Sequence, residues 1–335
     1  MLGAAALAAT GSALGAPRSS MFAYVGTYTD QPPGTRGHGE GIYLIRLDPA
    51  QARLETVKLA ARTPSPSWIA LSPDRRFLYA ANELDEYAGA KSGSVSAFAI
   101  DRLSGALRPL NTVASGGGAP AHLSVHPSGR FILVANYGGG SVAVLPVEPG
   151  GSLGAAVDLQ TDAGPRNPDR AADEPPGNFA ESDHSAAHVH MVAADPTGRF
   201  VVASDAGLDR LYVWRFDLST GKLAPADPPF VAVEPGSAPR HFVFHPNGRL
   251  LYSLTEHEGR VLVFGRDAQG GGLIPLQSVS VLPPGFGRQH RRGRAAYQPG
   301  WTVPLCRQPP ARHDLDLGAG ARWPRPVDRR GFDPG

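Results

Sequence analysis

The sequence predicts an all-β chain arranged as a ring of similar antiparallel sheets, and three observations predict it. One pattern recurs four times: "WIALSPDRRFLYAANE" from Trp68, "HLSVHPSGRFILVANY" from His122, "MVAADPTGRFVVASDA" from Met191 and "FVFHPNGRLLYSLTE" from Phe242. A further apolar stretch follows each copy: "GSVSAFAID", "GSVAVLPVE", "DRLYVWRFD" and "GRVLVFGRD". The prolines at the centres of the copies, Pro73, Pro127, Pro196 and Pro246, stand 54, 69 and 50 residues apart. Three or four strands in ~50 residues is the period of a propeller blade, whereas a sandwich does not need one turn motif at matched strand positions.

Taken in order, residues 2–16, "LGAAALAATGSALGA", look like the apolar region of an export signal ending in small residues, although the basic start is missing. Two readings stand. Residues 1–20 are the remnant of an export signal, which implies a periplasmic or secreted protein, or Met21 is the true start and the protein is cytoplasmic. "FAYVGTYTD" and "GIYLIRLD" then supply blade material, with the first strand available to close a ring.

Within each of the four copies the proline presets φ for a turn, a glycine or polar residue completes it, and the β-branched and aromatic residues that follow suit a buried strand. The third strand alternates, then ends in an acidic residue and a turn such as "LSTGKLAP". The long proline interval contains a polar, Pro-rich insertion at about residues 161–186. Propeller material therefore spans residues 21–287, about five blades at one per fifty residues.

Residues 288–335 break the pattern: they hold ten Arg against four Asp and show neither strand alternation nor a helical stripe. Synonymous codons can be chosen for them that, read one nucleotide later, restore it. "YQPGWTVPLCRQPP" then admits "ISPDGRFLYVANR", with the Trp301 codon forcing the glycine, and the restored proline falls 53 residues after Pro246. The tail is thus expected to be irregular and out of frame, with the slip near residues 286–289; the competing reading is a disordered basic tail. The ring is expected to be open on that side, and the 335-residue product poorly soluble and inactive.

Composition narrows the function classes. With 335 residues and 41% hydrophobic content the chain can bury a sizeable core. The net charge of +2 resolves into +6 in the tail and −4 elsewhere, so the pI near 8.8 gives no ground for a nucleic-acid partner. No apolar run of about 20 residues occurs outside the N-terminus, so no membrane partner is expected. Cys306 is the lone cysteine and lies in the tail, which leaves the redox compartment undecided.

Registering the copies on their prolines identifies candidate site residues. Six positions before the proline stand Ser67, Ala121, His190 and Arg240; ten positions after it stand Glu83, Tyr137, Ala206 and Glu256. Equivalent slots on successive blades lie on one ring around the axis, and a slot at the start of an inner strand faces the central channel, where polar groups from different blades converge. Each has a plainer reading. His190 can be a hydrogen-bonded strand-end histidine, Arg240 a turn cap beside a proline, and Glu256 a surface partner of Arg260. His188 and His190 share a strand face, but spacing places no third ligand with them, so neither a metal nor any other cofactor is assigned. Glu83, His122 and His188 are candidate substrate-binding residues, while His126 and His245, which precede turn prolines, read as structural.

The motifs "YVGTYTD", "GIYLIRLD", "SPDRRFLYAANE", "HPSGRFILVANYGGGSVAVL", "HVHMVAADPTGRFVVASDAGLDRLYVWRFD" and "APRHFVFHPNGRLLYSLTEHEGRVLVF" resemble the lactonase family of seven-bladed propellers, which contains bacterial 6-phosphogluconolactonases and fungal carboxy-muconate lactonizing enzymes. The resemblance runs from about Phe22 to Phe286. It implies that His190, Arg240 and Glu256 form the active site, in agreement with the slots, and that the substrate is an anionic sugar lactone. Arg240 would then clamp an anion and His190 or Glu256 would serve as base or proton shuttle. The family's last two blades, with a second arginine, have no in-frame counterpart. A small-molecule lactone is the expected partner and a monomer or weak oligomer the expected state; a non-catalytic binding propeller and a lactonizing cycloisomerase are the alternatives.

Overall fold

The computed structural model describes residues 21–29, 37–48, 53–169, 171–172 and 182–283. Residues 1–20 and 288–335, on which the export-signal and out-of-frame expectations fall, lie outside the described residues, as do 284–287 at the end of the expected propeller.

Among the described residues the strands form five antiparallel sheets, each built from strands consecutive in the chain. The first holds β1 (Met21–Gly26), β2 (Gly41–Asp48) and β3 (Arg53–Arg62). The second holds β4 (Pro66–Leu71), β5 (Phe77–Asn82), β6 (Ser94–Ile100) and β7 (Leu107–Ala114). The third runs through β8 (Pro120–Val125), β9 (Phe131–Asn136), β10 (Ser141–Pro146) and β11 (Asp158–Thr161). The fourth has β12 (Val189–Ala194), β13 (Phe200–Asp205), β14 (Arg210–Asp217) and β15 (Lys222–Ala232). The fifth has β16 (Pro239–Phe244), β17 (Leu250–Thr255), β18 (Arg260–Arg266) and β19 (Leu273–Ser280). The first strands of successive sheets, β1, β4, β8, β12 and β16, touch one another in that order.

The turn motif acts alike in all four copies. Gly129, Gly198 and Gly248 adopt φ of 72°, 71° and 69°, and their N–H groups donate to the carbonyls of His126, Asp195 and His245. Arg75 fills the same slot at φ 57°, a left-handed conformation that costs an L-residue about 1–2 kcal/mol.

Packing explains why the second strands are apolar without alternation. In β9, Phe131, Leu133 and Ala135 pack against the fourth sheet, while Ile132 and Val134 pack against the second. In β13, Val201 and Ala203 face the third sheet, and Phe200 and Val202 the fifth. Every residue of a strand covered on both faces must be apolar or internally bonded. Among the described residues the first and fifth sheets are covered on one face. In the fifth sheet Leu251 of β17 is buried against the fourth sheet, but Val243 of β16 and Leu254 of β17 on the opposite face are exposed. On the first sheet Ile42 is buried, whereas Val25, Tyr43 and Ile45 line a shallow pocket of about 370 Å³.

Candidate active site

Each inner strand of the second to fifth sheets begins with a β-bulge. The register steps from Pro66 to Trp68, Pro120 to His122, Val189 to Met191 and Pro239 to His241, leaving Ser67, Ala121, His190 and Arg240 as the extra residues. These are the four residues of the slot six positions before the turn proline. A bulge re-aims side chains and ends regular pairing, so the slot and its successor both supply groups to the channel.

The facing slot is held just as regularly. The N–H groups of Glu83, Tyr137, Ala206 and Glu256 donate to the carbonyls of Ser65, Ala119, His188 and Ala238, each at 2.9 Å. Ser65, Ala119 and Ala238 have φ of 39°, 45° and 53°. These non-glycine residues in the left-handed region mark the kinked chain that leads into each bulge. Below Glu83 and Tyr137, the buried Asn82 and Asn136 donate to Ser94 and Ser96 and to Ser115 and Ser141, locking the strand ends.

Side chains from four sheets then meet. Trp68 lies 4.4 Å from His122 and 5.4 Å from His241, ring centroid to ring centroid. His241 is 5.0 Å from His190, and Tyr137 is 5.6 Å from His190 and stacks on His188 at 4.7 Å. Arg240 Nε is 3.7 Å from Glu256 Oε2. The Tyr28 hydroxyl donates to Glu83 Oε2 at 2.7 Å.

The cluster holds its imidazoles neutral. Burial, reinforced by Arg240 and His241, pushes His190 down to about 3; burial and then Arg240 push His241 down to about 4. His122 is held well below the usual histidine range by burial, then by His241 and His190. Burial and the bond to Glu83 raise Tyr28 to about 12, and burial and then Glu256 raise Tyr137. His190 Nδ1 and His241 Nε2 are buried without a hydrogen-bond partner among the described residues. Neutral imidazoles around one guanidinium and one carboxylate can orient an anionic ester and exchange protons with it.

His190, Arg240 and Glu256 thus stand in one neighbourhood, with His122 in the ring cluster between Trp68 and His241 and Glu83 bonded to Tyr28. His188 is engaged differently. Its Nδ1 lies 2.9 Å from the Tyr137 carbonyl, and its Nε2 is 3.2 Å from Asp183 Oδ2. Among the described residues no three His, Cys, Asp or Glu side chains converge as a metal ion requires. His126 bridges turns, with Nδ1 2.8 Å from Ser128 Oγ and Nε2 2.9 Å from the Gly198 carbonyl, and His245 Nδ1 accepts the Asn247 N–H. Arg260 Nε bonds Ser278 at 2.6 Å while Glu256 turns to Arg240.

Trp68, His241, Tyr28, Ser182 and His257 were not among the sequence candidates. Prolines opening three of the four inner strands, Pro66, Pro120 and Pro239, were the available signal for the bulges that expose Trp68 and His241, since proline in a strand marks an edge or a bulge. Nothing local marks Ser182 or His257.

The family model for "Lactonase, 7-bladed beta-propeller" matches residues 22–297. The chain belongs to this lactonase family. It is 34% identical over 263 residues to a 6-phosphogluconolactonase of Bacillus subtilis, covering 78% of this chain and 67% of that protein. A 6-phosphogluconolactonase of Formosa agariphila is 28% identical over 244 residues, 72% of this chain and 63% of the relative. The structure of the periplasmic gluconolactonase of Pseudomonas aeruginosa superposes with a TM-score of 0.66 and 33% identity, covering 80% of this chain and 70% of that one. The chain spans about two thirds of the length of these relatives. The family match reaches residue 297, past Phe286, where the resemblance was expected to end.

Proposed function

We propose that this site hydrolyses an anionic sugar lactone of the 6-phosphogluconolactone class. The observation that carries the proposal is the convergence of Arg240 and the neutral His190, from the inner-strand bulges of two sheets, with Glu256 at the end of β17. The names of the relatives from Bacillus subtilis and Formosa agariphila support the substrate class.

Ring opening needs a water made nucleophilic and a tetrahedral oxyanion stabilised. Arg240 captures the substrate's carboxylate or phosphate, for which the planar guanidinium is suited. Glu256 takes a proton from water as its oxygen attacks the lactone carbonyl. Held at about 3, His190 stays uncharged and serves as a neutral hydrogen-bond donor to the developing oxyanion. When the ring C–O bond breaks, Glu256 returns the proton to the leaving oxygen, and the open hydroxy acid departs. Modest acid–base help of about 10²- to 10⁴-fold suffices for an ester already activated by its ring.

Location bears on the substrate. The Pseudomonas relative is named a periplasmic gluconolactonase; export of this chain would favour an unphosphorylated lactone, and synthesis from Met21 a phosphorylated one. The test is the rate of opening of 6-phosphogluconolactone and of gluconolactone above the spontaneous rate, by the 335-residue chain and by the product of the frame-restored gene. Catalysis by the frame-restored product is expected; binding of lactone without opening it would make the chain a binding propeller.

A further inference from the structure

The insertion between β11 and β12 is tied down at both described ends by one buried carboxylate. Asn167 donates to Asp209 Oδ2 at 2.9 Å and to the Leu208 carbonyl at 3.0 Å, and His184 Nδ1 lies 3.3 Å from the same Oδ2. Asp209 also accepts the N–H groups of Gly236 at 2.7 Å and Ala238 at 2.8 Å, immediately before β16, the strand that carries Arg240. The insertion and the arginine strand are therefore set by a common anchor.

At its end the insertion delivers Ser182, which is buried. The Ser182 N–H donates to His257 Nε2 at 3.1 Å. Its hydroxyl stands 3.0 Å from Glu256 Oε2 and 3.0 Å from His257 Nε2. Because the backbone N–H already engages the imidazole lone pair, the single hydroxyl proton goes to the carboxylate, where a hydrogen bond to a charged acceptor is stronger.

We propose that Ser182 is a positioning residue for Glu256, its hydroxyl pinning Oε2 beside Arg240 and leaving Oε1 as the oxygen that takes the proton from water. This rests on the lactonase reading for its catalytic consequence, while the bond itself can be tested without it. A loop that was merely long and polar would have no reason to bury a serine against an acid of the site. Ser182 is thus part of the active site, contributed from the connection between the third and fourth sheets, whereas the acid it orients follows β17 of the fifth.

The experiment compares wild type, Ser182→Ala, Ser182→Thr and Asn167→Ala, in the 335-residue chain and in the frame-restored protein. The first readout is the carboxyl carbon shift of Glu256 by NMR at one fixed pH, with Arg240, Tyr137 and His257 unchanged around it; the second is the kinetics of lactone opening. The carboxyl carbon resonance responds to a hydrogen bond at its oxygen, so Ser182→Ala should displace the Glu256 resonance. It should also lower kcat about tenfold at similar KM, and Ser182→Thr should restore both. Asn167→Ala loosens the other end of the insertion and should leave the Glu256 resonance in place. An unmoved resonance in Ser182→Ala, or an equal displacement in Asn167→Ala, overturns the assignment. A displaced resonance in a protein that opens no lactone upholds the bond and sinks the lactonase reading instead.

Discussion

Trp68 and His241 meet edge to face, ring centroids 5.4 Å apart and planes 71° apart, although they stand on the inner strands of the second and fifth sheets. Two whole sheets separate them in the chain, so their contact records the curvature that brings the bulges to one axis. The same curvature brings Arg240, His190 and Glu256 into one neighbourhood.

Arg240→Lys is expected to weaken substrate capture. One ammonium does not reproduce a planar fork, so KM should rise by on the order of tenfold with a smaller effect on kcat. Steady-state kinetics of the frame-restored protein measure it; unchanged KM and kcat would remove Arg240 from the site.

Acid should destabilise the fold through the histidine cluster. The folded pKa values of His190 and His241, about 3 and about 4, lie below the ordinary histidine value. The unfolded chain therefore binds more protons between pH ~6.5 and pH ~3, and the stability these groups contribute is present above ~6.5 and is lost as pH falls. Urea midpoints across that range should fall with pH, and His190→Gln with His241→Gln should flatten the slope. A slope unchanged in the double variant would contradict the burial argument.

Asp162 has the opposite dependence. Burial, and then the neighbouring Asp205, raise it to about 8. A carboxyl raised from ~3.9 favours the folded state fully below that pH, and the advantage is lost as pH rises to about 8. Asp162→Asn should gain stability relative to wild type as pH increases from 4 to 8 and hold the gain above it. Parallel stability curves for the two proteins would rule this out.

Arg75→Gly should stabilise the chain by about 0.5–1 kcal/mol. Arg75 holds φ 57° in the turn slot that the other three copies fill with glycine, and relief of that conformation outweighs the extra backbone freedom glycine has when unfolded. Chemical denaturation decides it, and a destabilised variant would show that the arginine side chain does more than occupy the turn.

The exposed apolar faces of the first and fifth sheets predict a solubility difference. Val25, Val243 and Leu254 are exposed on the faces where neighbouring blades would pack, and broad apolar surfaces of this kind drive association. Restoring the frame near residues 286–289 should yield a more soluble, active protein than the 335-residue chain, and sequencing the DNA there should reveal the slip. Purification of the 335-residue chain as a cooperative, active monomer would defeat the proposal.

Much of this fold was legible because its code is local. A turn proline, a positive-φ slot and a run of β-branched residues specify a hairpin with few partners, and four copies specify the repeat. The slot residues His190, Arg240 and Glu256 were legible for the same reason: equivalent positions in equivalent blades occupy equivalent places. His241 escaped because strict alternation turns it away from Arg240, and the bulge that overrides alternation depends on how each sheet enters the ring.

The sequence by itself therefore determined the strands, their order and period, and which residue of each blade stands at the start of its inner strand. Only the tertiary structure decided that Trp68, His122, His190 and His241 share one cluster, that Glu256 pairs with Arg240, and that Ser182 returns from an insertion to hold it. The physical reason is range. Hairpins are fixed by neighbouring residues, whereas convergence on an axis is the summed result of every sheet packing on the next, and no short window of sequence contains it.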